Sequence, residues 1–90
     1  MQIIISIILL FASFNSYSQS ERKYIRKGNK EFEGEKYEDA EILYRKAIEE
    51  DPNSDKANYN LGNSLYKQEK YEASETKYEN LISRTYFSQK

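Results

Sequence analysis

Six carboxylates, Glu31, Glu33, Glu35, Glu38, Asp39 and Glu41, fall within eleven positions, the densest group of potential acids, bases or metal ligands in the chain. Paired carboxylates can trade protons or hold a cation, but both tasks need a site that restricts water. Here the acids crowd the end of one helical pattern and the turn before the next, where a solvated face is the ordinary outcome. Glu38 and Asp39 also fall in a first helical turn, where negative charge suits the dipole. The chain has no His and no Cys, so the commonest general bases, nucleophiles and zinc ligands are missing. Gly28 and Gly62 stand alone, without the glycine-rich loop that cradles phosphate. An enzyme is not expected.

The stronger signal is a repeat. Gly28-Asn29 and Gly62-Asn63 lie 34 residues apart. At the same offset Glu35-Lys36-Tyr37-Glu38 recurs as Glu69-Lys70-Tyr71-Glu72, with Glu41/Glu75, Tyr44/Tyr78 and Ile48/Ile82 behind it. Such a period, with small and aromatic residues at fixed places, marks stacked helix–turn–helix units. Helices are expected over about 21–34, 37–50, 55–68 and 71–84. Ser20 is placed to cap the first and Ser54 the third. Gly34-Glu35-Lys36 and Gln68-Glu69-Lys70 make the turns, and Pro52 disfavours helix at Asp51. In the second helix Ala40, Leu43, Tyr44, Ala47 and Ile48 follow the three-and-four spacing of one apolar stripe. No stretch alternates as a strand would, so the fold class is all-α. Gly28 and Gly62 are expected to face Ala40 and Ser74 where paired helices cross.

Tyr24, Gly28, Phe32, Tyr37, Ala40, Tyr44, Ala47 and Pro52 together resemble a tetratricopeptide (TPR) repeat. Asn60-Leu61-Gly62-Asn63, Tyr66, Tyr71, Ser74 and Tyr78 resemble a second. The resemblance implies a short α-solenoid of two repeats, about 21–54 and 55–88, within a domain spanning 19–90. It also implies a concave groove lined by the first helix of each repeat, which binds a peptide or a partner protein. The groove positions carried over are Asn29, Phe32, Tyr59, Asn60, Asn63 and Tyr66, with Arg22, Ile25, Glu33, Lys56 and Lys67 beside them. Asn29 and Asn60 match two places of the clamp with which some TPR domains hold a C-terminal carboxylate. Ile25 stands where that clamp has lysine. Repeat arrays usually need about three units, because each leaves an apolar face for the next. Continuation into a longer protein, or pairing with itself or with a partner across the last helix, is therefore expected.

Arg22, Lys23, Arg26, Lys27 and Lys30 form a run on the first helix with no acid among them. They read either as a patch for an anionic surface or membrane, or as the charged outer face of a capping helix. The chain as a whole carries 14 basic and 15 acidic residues, all after Ser20. That balance is unlike a nucleic-acid-binding domain.

Residues 1–18 read differently. Ile3 to Phe14 is apolar apart from Ser6 and Ser13, followed by small polar residues. At about 1.5 Å per residue this run spans ~18 Å, short of a ~30 Å hydrocarbon core. A secretory signal cleaved after Ser18 is expected, giving a periplasmic or secreted protein, with an uncleaved anchor as the alternative. The absence of Cys means no disulfide stapling after export. A signal followed by Glu-Arg-Lys-Tyr-Ile-Arg-Lys-Gly-Asn-Lys, and later by Ala-Asn-Tyr-Asn-Leu-Gly-Asn-Ser-Leu-Tyr-Lys-Gln, is similar to the small TPR proteins of Bacteroidetes aerotolerance (Bat) operons. That likeness implies a periplasmic scaffold beside membrane proteins with von Willebrand factor A domains.

Overall fold

Pro52, Ser54 and the two Glu-Lys-Tyr-Glu segments punctuate the chain into helices of similar length, and the fold follows those marks. A computed structural model describes residues 19–88. Helix α1 covers 19–33, α2 Tyr37–Glu50, α3 Asp55–Lys67 and α4 Tyr71–Ser88, with no strand among the described residues. The α1–α2 and α3–α4 hairpins are the two repeats of a short all-α solenoid. The expected bounds hold to a residue or so, except that α4 continues past 84 to Ser88. The signal-peptide reading of 1–18 lies outside the described residues.

Each boundary has a local cause. Ser54 takes an extended backbone and its hydroxyl accepts from the Ala57 N–H at 3.2 Å, capping α3 as expected. Asp51 accepts from the Asn53 N–H at 3.0 Å, closing the turn around Pro52. Ser20 does not cap α1. Residues 19 and 20 are already helical, whereas a cap residue stands outside the helical conformation.

The turns within the two repeats are one motif built twice. The Lys36 N–H reaches Glu31 O at 2.9 Å and the Glu35 N–H reaches Phe32 O at 3.0 Å. The Lys70 N–H reaches Leu65 O and the Glu69 N–H reaches Tyr66 O, both at 2.9 Å. This six-to-one and five-to-two pairing is a Schellman ending. The left-handed residue it needs is Glu35 (φ 62°) in the first repeat and Glu69 (φ 63°) in the second. Gly34, the residue best suited to that conformation, stands one place too early.

Glycine has a different task at the crossings. A side chain at Gly28 would start 2.5 Å from Tyr44 Cε1, and one at Gly62 would start 2.7 Å from Tyr78 Cε1. The nearest bulk to be accommodated at each crossing is a tyrosine ring laid over the helix. In the second repeat the Ser74 hydroxyl does reach Gly62, donating to its carbonyl at 2.9 Å.

The core lies where three helices meet. Ala40 and Tyr44 of α2 pack with Leu61 and Leu65 of α3, with Phe32 and Ile48 alongside. A second cluster joins Ile25, Ala47 and Ala57, again touching Ile48 and also Tyr24. Helix α3 contacts both α2 and α4, whereas α2 and α4 do not touch. Beyond α3 the apolar surface is open: Tyr71, Ile82 and Tyr86 of α4 are exposed.

Candidate peptide-binding groove

Asn29 sits one helical turn after Ile25 on α1, and its amide is held from two sides. The Tyr44 hydroxyl donates to Asn29 Oδ1 at 2.6 Å, and Asn60 Nδ2 donates to the same oxygen at 3.3 Å. The second repeat copies the first of these bonds, the Tyr78 hydroxyl donating to Asn63 Oδ1. Tyr44 is almost fully buried. Burial, helped by the negative charge of Glu33, pushes its hydroxyl up to about 12, so it stays a donor at neutral pH.

These bonds fix what the amides offer. The Asn29 oxygen is taken twice and the Asn63 oxygen once, so what each amide has left to offer is its NH2, a donor. Asn60 has given one N–H to Asn29 and keeps its oxygen as an acceptor. The three amides line one depression and so bring donors and an acceptor together there. An extended polypeptide presents alternating carbonyl and N–H groups that suit such a set.

Two adjoining depressions share Asn29. The smaller, about 120 Å³, is lined by Asn29, Phe32, Glu33, Tyr44, Asn60 and Asn63. The larger, about 540 Å³, runs toward the start of α1 and is lined by Gln19, Glu21, Arg22, Ile25, Arg26, Asn29 and Lys56. The structure thus gathers Asn29, Phe32, Asn60 and Asn63, and adds Arg22, Ile25, Glu33 and Lys56. Tyr59 and Tyr66 do not line either depression. Their rings lean on α4, Tyr59 against Tyr78 at 5.9 Å and Tyr66 against Tyr71 at 5.2 Å between centroids. Lys67 lies with the turn residues around Glu35 and Lys70.

The basic run on α1 divides. Arg22 and Arg26 line the larger depression, whereas Lys23, Lys27 and Lys30 are exposed outside it. Lys23 and Lys46 instead lie over the Tyr24 ring, each 5.9 Å from its centroid. Arg26 was not among the groove positions carried over, although it stands four residues after Arg22 and three before Asn29. That spacing alone puts it on the same face.

Of the acidic group, Glu33, Glu35, Glu38 and Asp39 are exposed. Among the described residues no set of His, Cys, Asp or Glu is arranged to hold a metal ion. Glu41 is a structural tie: Gln68 Nε2 donates to it at 2.9 Å, Arg45 Nε at 2.9 Å and Lys70 Nζ at 3.3 Å. Partial burial pushes its carboxyl up, but the hydrogen bonds from Gln68, Arg45 and Lys70 outweigh that and leave it below the usual value. The same Gln68 amide also reaches Tyr37 O at 3.3 Å. Glu41 therefore couples α2 to the turn between α3 and α4.

No helix of the described residues is long and apolar enough to cross a membrane. No curated protein and no solved structure matches the chain. The family model of the TPR repeat matches residues 28–69. That span runs from the Gly28 crossing through α2 and α3 to the Glu69 turn, so the segment that holds Asn29, Tyr44, Asn60 and Asn63 is similar to TPR repeats, and the described residues fold as a short all-α solenoid.

Proposed function

We propose that this chain is an exported protein–protein interaction scaffold that holds an extended segment of a partner in the groove between α1 and α3. TPR repeats generally mediate contacts between proteins. The observation that carries the reading here is the fixed set of amides in one depression: Tyr44 and Tyr78 lock Asn29 and Asn63 as donors, and Asn60 keeps its oxygen as an acceptor. A groove with hydrogen-bonding groups preset for a backbone avoids part of the ordering cost of binding.

Asn60 is the residue to test. Asn29 and Asn63 each satisfy a tyrosine hydroxyl, so replacing either disturbs the fold as well as the groove. Asn60→Ala leaves both hydroxyls with their acceptors. Partner protein captured from an envelope extract is titrated against each purified variant. Asn60→Ala should weaken binding several-fold with helical content intact, while Glu35→Gln and Glu38→Gln should do little. Loss of binding in the turn variants with Asn60→Ala unaffected would refute the groove.

Export is proposed on the apolar run and on the small residues Ser16 and Ser18, with Gln19 as the mature N-terminus. Intact-mass measurement on protein from a periplasmic fraction decides it, since a mass retaining Met1 is incompatible with cleavage. A place in a cell-envelope aerotolerance complex, beside membrane proteins with von Willebrand factor A domains, is supported by the sequence likeness of residues 21–30 and 57–68.

A further inference from the structure

We infer that the wider end of the groove accepts an acidic segment of the partner, with Asp or Glu side chains taken up by Arg22, Arg26 and Lys56. This rests on the groove reading and adds the chemistry of what enters it. The three cations come from two helices, α1 and α3, and converge on one depression of about 540 Å³. All three are exposed, and none forms an ion pair among the described residues. By contrast Arg45, Lys70 and Arg84 are each paired with a carboxylate.

The surroundings favour an anion as well. Asn29 borders the depression with its oxygen already occupied, so it adds only N–H donors. Glu21 is the one carboxylate on the rim, and it accepts the hydroxyl of Ser54. Three cations face one carboxylate in a chain whose charges otherwise nearly cancel. A buried Ile25 lies among them. Arg guanidinium forks match carboxylates with two parallel hydrogen bonds, which gives orientation as well as charge.

Arg22, Arg26 and Lys56 lie outside the carboxylate-clamp places that the TPR resemblance assigns to Asn29 and Asn60. A recess between two helices also suits a peptide better than a flat anionic bilayer. A bilayer would meet the exposed Lys23, Lys27 and Lys30 instead, which lie outside the depression.

The test is fluorescence anisotropy of the full-length chain with labelled octa-glutamate and octa-glutamine peptides, at low salt and at ~0.3 M salt. The expected result is binding of octa-glutamate alone. Arg22→Gln with Arg26→Gln and Lys56→Gln should weaken it about tenfold or more. The charge-matched set Lys23→Gln, Lys27→Gln and Lys30→Gln should change it by less than about threefold. Equal loss in both sets would reduce the effect to diffuse charge and overturn the inference. So would binding to phosphatidylserine vesicles without binding to octa-glutamate. Peptides selected from a random library separate this failure from that of the groove itself. If they depend on Asn60 but carry no acidic bias, the acidic site is wrong and the groove stands. If none depends on Asn60, the groove reading falls too.

Discussion

Ile25 and Tyr59 hold the same place in the two repeats, yet Ile25 is 5% exposed and Tyr59 is 54%. Ile48 packs on both core clusters, while its counterpart Ile82 is 68% exposed. Glu41 has three partners, and Glu75 is exposed with none among the described residues. Local sequence accounts for part of this, since Tyr59 replaces Ile25 and Glu79 replaces the Arg45 that pairs with Glu41, but Ile48 and Ile82 are the same residue. The first repeat is covered by α3, and no described helix covers the second. Burial in a solenoid is supplied by the next unit, whereas turns and Tyr–Asn pairs belong to each unit alone. The lesson is a division of labour: local features repeat faithfully and tertiary ones do not.

Paired substitutions can break that division. The largest effect is expected at the crossings. Gly28→Leu forces a side chain into the buried Tyr44 ring and should cost about 3 kcal/mol. Gly62→Leu should cost less, because Tyr78 is only half-buried and has room to yield. Thermal melts followed by circular dichroism compare them, and equal losses would mean that the two repeats are equally covered. Next, Ile48→Ala should cost about 2 kcal/mol and Ile82→Ala under about 0.5 kcal/mol, read from urea midpoints. A large loss at Ile82 would reveal cover over α4.

A third pair uses pH. Because the folded state holds the Glu41 carboxyl below its ordinary value of 4.5, it favours the charged form. The stability this confers is present in full above about pH 4.5 and is lost as pH falls through the folded value. Glu41→Gln should therefore cost about 1 kcal/mol at neutral pH, with the gap to wild type closing below about pH 4.5. Glu75→Gln should leave the melting midpoint unchanged throughout. A gap at Glu41 that persists in acid would show that shape, not charge, holds the tie.

The smallest pair should show no asymmetry at all. Glu35→Gly and Glu69→Gly each relieve a left-handed conformation and should stabilise the chain by about 0.5–1 kcal/mol. Unequal gains would mean that even the turns feel their tertiary surroundings.

Much of this was legible in the sequence, for reasons that differ from residue to residue. Pro52 and Ser54 act within a few positions, so the start of α3 could be read directly. Gly28 and Gly62 were legible as sites of close approach, and Ser74 as a neighbour of Gly62, but the tyrosine rings over both glycines were not. The Tyr44 ring reaches Gly28 only through the angle at which α2 crosses α1. The turn at Gly34-Glu35-Lys36 was legible, but not which residue takes the left-handed conformation, since the hydrogen bonds that end the helix give that place to Glu35. Glu41 looked like one more solvated acid, since Gln68 and Lys70 lie far along the chain and meet it only when α3 is in place. The basic run read either as a patch or as a charged outer face, and the rotation of α1 decides which of its cations line the groove.

Helix α3 is the sole contact between α2 and α4, and that has a consequence for how the molecule breathes. Opening α4 uncovers one side of α3 and leaves the clusters around Tyr44 and Ala47 in place, whereas opening α3 exposes both hairpins at once. Amide hydrogens of α4 should therefore exchange through a local opening, ahead of those in α2 and α3, which wait for the whole chain. The asymmetry makes the protein directional: α4 loosens first and takes Tyr78 away from Asn63, while the Tyr44–Asn29–Asn60 part of the amide set keeps its shape until α3 opens.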